Sequence, residues 1–361
     1  MIKLLVVDDS ALLRRLIGQV FASEPDFALA FARSGREALD ALSVFAPDVI
    51  TLDVQMPEMD GLACLDRIMV ERPCPVVMVS SLTAAGAEAT LEAFHLGAVD
   101  FVAKPSGAVS LHMEAWGPEL LAKVRAAASV KMRSSRRLKD RVRHRIGGRT
   151  SAAPGRDTPP GRNQRDDSVP PGEGLVLVGV STGGPPALET LLTALPADFP
   201  WPILVAQHMP ASFTGPLARR LDGLCALTVL EVVKPIALQA GYVYIGRGDA
   251  DLIVSRRGAG LMAMIAPPLA GYPWSPSTDR LVRTAMACLP PFRLIGVLMT
   301  GMGNDGADAM AQLHTDGGAT IAEAEETAVV WGMPGELVRA GGADWIEPLP
   351  QIAARLSSLV V

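Results

Sequence analysis

The chain has 361 residues, a formal net charge of −5 and 49% hydrophobic residues. A chain of this length typically folds into two or three domains, and no apolar run approaches the roughly 20 residues that a membrane-spanning helix requires, so we expect no membrane insertion. The amino terminus has acidic residues directly after a short apolar run, which is typical of a first strand and not of a signal peptide. The four cysteines have no metal-binding spacing and form no C-x-x-C motif, which favours a reduced, cytoplasmic compartment.

Charge is distributed unevenly along the chain. Residues 1–122 carry a net charge of −9, residues 123–172 carry +10, and residues 173–361 carry −6. This pattern predicts two acidic domains, at 1–122 and 173–361, joined by a basic connector at 123–172.

The first domain has short apolar segments at 3–7, 48–52, 76–79 and 101–102, with helical patterns between them near 11–22, 35–45, 61–70 and 86–96. This alternation predicts a doubly wound α/β fold, in which a parallel sheet has helices on both faces. Ligand sites of such sheets lie at the carboxyl ends of the strands. The polar residues that directly follow the apolar segments are Asp8, Asp9, Asp53, Ser80 and Lys104.

Three carboxylates at one sheet edge repel each other unless a hard cation lies among them, and Mg²⁺ fits such oxygen ligands. Asp53 would act as a carboxylate nucleophile toward a phosphoryl group, Lys104 would balance the added charge, and Ser80 would hydrogen-bond the new oxygens. The alternative is structural: Asp8 and Asp9 would cap a helix and Asp53 would start a turn. Four matched positions at successive strand ends make that alternative improbable.

These residues resemble the receiver domain of two-component response regulators. The resemblance covers about the first 120 residues and rests on Asp8/Asp9, on Asp53 followed by Met56-Pro57-x-Met59-Asp60-Gly61, on Ser80 and on Lys104-Pro105. It implies that Asp53 is the phosphoacceptor and that Asp8 or Asp9, Asp53 and the backbone of Gln55 hold Mg²⁺. It also implies that Phe101 is the aromatic switch residue, although an apolar ring on the fifth strand could equally belong to the core.

The connector is rich in Lys and Arg up to about residue 149, with some helical spacing at its start. Residues 150–174 are rich in Pro, Gly, Ser and charged residues, which predicts a flexible linker. Basic runs also occur in nucleic-acid-binding segments. Because no aromatic residues are interleaved here and no recognition helix is evident, we interpret the segment as a tether and expect no nucleic-acid partner.

The second domain is organised around residues 175–192. Residues 175–178 predict a buried parallel strand and residues 187–192 a helix, with Pro185 and Pro186 in its first turn. The glycine-rich turn between them holds Ser181 just ahead of a helix amino terminus, where an oxyanion is favoured. A nucleotide-binding turn, or a tight connection without chemistry, fits this turn alone about as well as a nucleophilic serine does.

Two further apolar strands, at 203–206 and 294–299, end just before His208 and Asp305. Ser181, His208 and Asp305 would then meet at one sheet edge as nucleophile, base and orienting acid. The domain's other histidine, His314, is expected at a solvated helix end. The backbone N–H of Met302 is a candidate oxyanion donor, with Thr182 and Asn304 as supporting polar groups.

The chain order Ser181, His208, Asp305 differs from the serine, acid, histidine order of α/β-hydrolases. The domain resembles instead the effector domain of the chemotaxis receptor protein-glutamate methylesterases (CheB), over about residues 173–355. The resemblance implies a Rossmann-like effector behind a flavodoxin-like receiver. It also implies methylated receptor helices as substrate, hydrolysis of their glutamate methyl esters, in many members deamidation of glutamine, a histidine kinase as phosphodonor, and no cofactor for ester hydrolysis. The motifs that carry it are Gly179-Val-Ser181-Thr-Gly-Gly-Pro, Gln207-His208-Met-Pro-x-x-Phe213-Thr214, Pro276-Ser277-x-Asp279, Thr300-Gly-Met-Gly-x-Asp305-Gly-Ala and Gly332-Met333-Pro334.

Four positions depart from the family pattern: Arg247, Asp251, Glu323 and Gly335. We expect these departures to alter the rim of the substrate site. Two other functions compete with the esterase for this sequence. One is a phosphorylation-controlled binding protein with an inactive or differently specific esterase domain. The other is a DNA-binding regulator, which the acidic second domain without a helix-turn-helix disfavours.

Overall fold

The computed structural model describes residues 1–105, 109–130, 174–258 and 260–360. These residues form two α/β units, each built on a parallel sheet, as the sequence predicts. Most of the predicted tether lies outside the described residues. Across the described ranges, no helix is both long and apolar enough to span a bilayer.

The receiver unit alternates strands and helices in the predicted order. Its five strands are parallel, in the order β2-β1-β3-β4-β5, and their apolar side chains pack under the helices of both faces. The elements are β1 (Ile2–Val7), α1 (Ala11–Ala22), β2 (Phe27–Ala32), α2 (Gly35–Val44), β3 (Val49–Asp53), α3 (Gly61–Glu71), β4 (Val76–Ser80), α4 (Ala84–Leu96), β5 (Asp100–Ala103) and α5 (Val109–Ala128).

Helix α5 continues past the predicted domain boundary at residue 122. Lys123 donates a hydrogen bond to the carbonyl oxygen of Phe101 (2.7 Å), and Arg125 pairs with Asp26 (2.5 Å) and Glu24 (2.6 Å). These contacts anchor the last turns of α5 to the receiver, so the predicted start of the tether at residue 123 is too early.

The effector unit is built on seven parallel strands. The elements are β6 (Leu175–Val180), α6 (Gly184–Thr193), β7 (Ile203–Gln207), α7 (Ala211–Leu224), β8 (Thr228–Val232), β9 (Ile236–Ala237), β10 (Tyr242–Gly246), β11 (Asp251–Arg257), β12 (Gly260–Ala266), α8 (Thr278–Met286), a 3₁₀ turn (Pro291–Arg293), β13 (Leu294–Leu298), α9 (Ala307–Thr315), β14 (Ala319–Glu323), α10 (Met333–Arg339), β15 (Trp345–Glu347) and α11 (Leu349–Leu359).

The sheet order is β15-β14-β13-β6-β7-β10-β8. Strand β6 therefore lies between β13 and β7, and the turns that follow these three strands are neighbours. A second sheet, antiparallel and ordered β11-β12-β9, packs beside α8 and was not predicted. Strand β2 of the receiver was not predicted either.

The two units contact each other through α4, which packs against α6 and α7. Phe101 of β5 packs on Phe213 of α7, with ring centroids 4.4 Å apart. Arg220 of α7 lies 3.7 Å from the carboxylate of Glu92 on α4. The described structure is therefore a docked state of the two units.

Candidate active site and receiver pocket

Ser181 lies on the turn between β6 and α6. Its N–H donates to the carbonyl oxygen of Thr300 (3.0 Å), which joins this turn to the turn after β13. Gly183 has φ 75°, a left-handed conformation that side chains rarely adopt. Helix α6 begins at Gly184 with prolines in its first turn, as predicted. The serine is thus held rigidly just ahead of a helix amino terminus.

The turn after β13 approaches the serine closely. A Cβ placed on Gly301 would lie 2.9 Å from the Cβ of Ser181, so this position requires glycine. The N–H of the next residue, Met302, donates to no protein group among the residues that the structure describes. A free N–H beside a serine is the kind of donor that an oxyanion needs.

His208 follows β7, the strand that pairs with β6. Val180 and Gln207 are partners across the two strands, and the N–H of His208 donates to the carbonyl oxygen of Val180 (3.1 Å). The residues that follow the paired ends, Ser181 and His208, are consequently brought together at this edge. The Nε2 atom of His208 lies 2.8 Å from Oδ2 of Asp305.

Asp305 precedes α9 in the chain and is 1% exposed. Its carboxylate contacts the amino terminus of α8. Besides His208, its carboxylate accepts hydrogen bonds from the hydroxyl of Ser277 (2.9 Å) and from the N–H groups of Thr278 (2.6 Å) and Asp279 (3.1 Å). Burial raises the pKa of Asp305, but His208 and these N–H groups outweigh burial, so the net pKa lies below its usual value. The acid is therefore held as an anion facing the histidine.

The receiver pocket brings together the carboxylates predicted to bind metal. Oxygens of Asp8, Asp9 and Asp53 lie within 4.8 Å of one another at the carboxyl edge of the sheet. The Nζ atom of Lys104 lies 2.7 Å from Asp53 and 3.2 Å from Asp8. Burial and the charge of Asp53 raise the pKa of Asp8 to about 6, although Lys104 opposes both. The pocket is thus rich in negative charge that one ammonium group only partly balances.

The other predicted receiver residues adopt defined positions. The N–H of Gln55 donates to Asp53 (3.1 Å), which places the Gln55 backbone at the pocket. The buried hydroxyl of Ser80 donates to the carbonyl oxygen of Gly86 (3.1 Å) and so is turned toward α4. Phe101 is 3% exposed, between Phe94 of α4 and the effector ring already described.

Two family models match the chain: the CheB methylesterase model over residues 176–356 and the response regulator receiver domain model over residues 4–115. The chain is 56% identical over 98% of its length to the protein-glutamate methylesterase/protein-glutamine glutaminase 2 of Rhodopseudomonas palustris, covering 97% of that protein. The chain belongs to the CheB methylesterase family. It is also 49% identical, over 99% of its length, to the protein-glutamate methylesterase/protein-glutamine glutaminase 3 of Rhodospirillum rubrum, covering 96% of that protein. The crystal structure of the Thermotoga maritima CheB methylesterase catalytic domain is 36% identical, covers 53% of this chain and all of its own, and superposes with a TM-score of 0.50.

The departures from the CheB pattern are not all rim residues, contrary to our expectation. Asp251 and Glu323 are fully buried and Gly335 is buried, whereas Arg247 is exposed at the end of β10. Asp251 pairs with Arg280 (2.5 Å) and accepts the N–H of Ser277, the residue whose hydroxyl binds Asp305. Asp251 is therefore linked to Asp305 through Ser277.

Glu323 lies beneath the turn that follows β13. Its carboxylate accepts the N–H of Thr300 (2.8 Å) and the hydroxyl of Thr327 (3.0 Å), and burial raises its pKa. Because the carbonyl of Thr300 accepts the N–H of Ser181, Glu323 supports the turn that holds Ser181 without facing solvent.

The hydroxyl of Thr182, a predicted supporting residue, binds the receiver. The hydroxyl donates to Asp100 of β5 (2.5 Å), and the Thr182 carbonyl accepts the hydroxyl of Thr300 (2.8 Å). His314 is at the far end of α9 from Asp305, is partly exposed, and lies 3.0 Å from Asp344. His314 is thus outside the site, as expected.

One aromatic residue at the site was missed by the sequence analysis. The indole ring of Trp274 is stacked parallel to the imidazole of His208, with centroids 6.0 Å apart and an interplanar angle of 4°. Trp274 lies in the loop between β12 and α8, where no periodicity or motif pointed to the histidine.

Proposed function

We propose that the chain hydrolyses glutamate methyl esters on chemoreceptor helices, under control of phosphorylation at Asp53. We include the corresponding deamidation of glutamine, because the relatives named above carry both activities in their names. The observation that carries the proposal is the His208–Asp305 hydrogen bond at the strand end beside Ser181.

The chemistry follows from which histidine nitrogen Asp305 occupies. Because the Asp305 carboxylate accepts from Nε2–H, Nδ1 is the nitrogen left to take the proton of the Ser181 hydroxyl. The serine oxygen then attacks the ester carbonyl, and the Met302 N–H supports the resulting oxyanion. Nδ1–H gives its proton to the departing methoxide oxygen, which leaves as methanol. Water then cleaves the acyl-enzyme by the same route, and the hydroxyl of Ser181 is restored.

Regulation by the receiver follows from where its fifth strand contacts the effector. Asp100 holds the hydroxyl of Thr182, next to the nucleophile, and Phe101 packs on Phe213, five residues after His208. Two adjacent receiver residues therefore contact the segments that carry the serine and the histidine. We propose that this docked receiver limits access to the triad, and that phosphorylation weakens the docking through Ser80 and Phe101.

The receiver pocket fits Mg²⁺, because its donors are clustered carboxylate oxygens. Asp8, Asp9, Asp53 and the Gln55 backbone would hold the ion, which when bound would neutralise charge on the incoming phosphoryl group. Asp53 would accept that group, and Lys104, already beside Asp53, would pair with it. The phosphodonor would be the histidine kinase of the chemotaxis system, and we place the reaction in the cytoplasm, with the receptor helices.

The proposal is tested by measuring methanol release from methylated receptor fragments by the purified full-length chain. We expect release to require Ser181 and to increase when a small-molecule phosphodonor and Mg²⁺ are present. A matched sample of the Asp53→Asn variant controls for direct effects of the donor. Absence of release by the wild-type chain in both conditions would contradict the proposed activity.

A further inference from the structure

Trp274 lies beside His208 and beside the turn that follows β13. Its ring lies parallel to that of His208, with centroids 6.0 Å apart. It also faces the turn that supplies Met302, because a Cβ placed on Gly303 would lie 3.0 Å from the Trp274 ring. The side chain of Trp274 is half-buried.

The segment that carries Trp274 also holds the partner of the histidine. Ser277, three residues further on, donates its hydroxyl to Asp305, and the N–H of Thr278 binds the same carboxylate. One short segment therefore contacts the histidine ring on its face and supports the acid that binds its edge. A shift of this segment would move both partners of His208 together.

We propose that Trp274 is a positioning residue for His208 in ester hydrolysis. The inference rests on the proposed role of His208 as general base. A hydrogen bond at Nε2 fixes one point of the imidazole and leaves its plane free to tilt. A parallel aromatic face fixes that plane, and with it the direction of Nδ1 toward the serine.

The stack also favours the charged form of the base. Taking the serine proton turns His208 into an imidazolium, and a cation beside an aromatic face is stabilised by the ring's electron density. This stabilisation exists only after proton transfer has begun. Its loss should therefore lower kcat and leave KM nearly unchanged.

The kinetic test compares Trp274→Phe with Trp274→Leu in the phosphorylated full-length chain. Phenylalanine keeps an aromatic face, whereas leucine keeps only apolar cover. We expect the leucine variant to lose roughly 3- to 30-fold in kcat, with KM within about twofold, and the phenylalanine variant to retain most of the rate. Trp345→Leu is the matched control, because Trp345 lies on β15 against Arg355, away from the triad.

A second readout does not depend on turnover. A protonated imidazole beside an indole quenches the fluorescence of the indole, so the emission of the full-length chain should fall when the solution is acidified. We expect this change to be absent in Trp274→Phe and in His208→Gln, and present in Ser181→Ala. If the change persists in Trp274→Phe, the stack is not the source and the proposal is overturned.

The two measurements separate this inference from the proposed function. Equal rates for the leucine and wild-type chains, or a loss that falls on KM alone, would overturn the positioning role while the esterase stands. No hydrolysis by the wild-type chain, together with a fluorescence change that requires both Trp274 and His208, would overturn the esterase while supporting the contact.

Discussion

In the receiver pocket, the buried carboxylates of Asp8 and Asp53 share the ammonium group of Lys104, whereas in the effector Asp305 receives four hydrogen bonds from protein groups. Both sites lie at the carboxyl edge of a parallel sheet. Burial and the charge of Asp53 raise the pKa of Asp8 in the receiver pocket, so a bound cation and a phosphoryl group would change the charge balance there. The carboxylate of Asp305 already has its donors within the protein. The contrast indicates that one site is built to change state and the other to remain fixed.

The largest effect on the esterase rate should come from substituting the proposed catalytic residues of the effector. We expect Ser181→Ala and His208→Gln each to lower the esterase rate by roughly 10³- to 10⁶-fold, and the double variant to lose little more, because the two groups act as a unit. Initial methanol release measures this. His314→Gln is the matched control, and a loss in that variant with full activity in His208→Gln would contradict the triad.

A smaller effect on the esterase rate is expected when the receiver can no longer be phosphorylated at Asp53. Asp53→Asn removes the phosphoacceptor, so the phosphodonor should no longer raise activity, whereas in the wild-type chain it should raise activity roughly 5- to 150-fold. Intact-mass spectrometry with Mg²⁺ present should show one phosphoryl group on the wild-type chain. Full labelling of Asp53→Asn would show that another residue is the acceptor.

The contact between the two regions should contribute a few-fold. Asp100→Ala removes the hydrogen bond to Thr182, so we expect resting activity to rise by roughly 2- to 10-fold and the stimulation by phosphodonor to shrink by the same factor. Asp100 and Glu119 both pair with Lys123, and no contact of Glu119 with the effector is seen among the described residues, so Glu119→Ala is the matched control. Identical resting rates in the wild-type and Asp100→Ala chains would mean that this bond does not restrain the triad.

The smallest effect concerns the buried acid beneath the catalytic turn. Burial raises the pKa of Glu323 above its usual 4.5, so folding is opposed increasingly as pH rises from that value through the pKa of the folded state. Glutamine keeps an acceptor for the Thr300 N–H without a charge. We therefore expect Glu323→Gln to stabilise the effector more at about pH 8 than at about pH 4, as measured by urea unfolding.

Glu347→Gln is the control for that measurement. Glu347 lies on β15, directly beside Glu323 of β14, and pairs with Arg355 of α11. A gain in the free energy of unfolding that does not change with pH would contradict the assigned burial effect on Glu323.

The central parallel strands were predictable because each is an apolar run that ends in a polar, motif-bearing turn, as at Asp53, Ser181 and His208. Strand β2 was missed because it alternates alanines with larger residues and is only partly buried. The sheet of β9, β11 and β12 was missed because its strands are antiparallel and partly exposed, so they lack that continuous apolar pattern.

The contacts that complete the site were beyond sequence reasoning for a different reason. Trp274 reaches His208 from a loop without periodicity, and Asp100 reaches Thr182 from the other unit, 82 positions earlier in the chain. Nothing local in a sequence encodes such pairs. The same holds for Asp251 and Glu323, whose burial depends on how neighbouring strands pack.

The central claim is that the resting chain holds a complete triad under a docked receiver. The most direct measurement compares initial methanol release by a chain that starts at Gly172 with release by the full-length chain, with and without phosphodonor, on one receptor substrate. We predict that the shorter chain is roughly 5- to 150-fold more active than the unphosphorylated full-length chain and does not respond to phosphodonor, and that the phosphorylated full-length chain approaches it. A shorter chain that is folded by circular dichroism but slower than the resting full-length chain would contradict the claim, because the receiver would then be needed to build or deliver the active site.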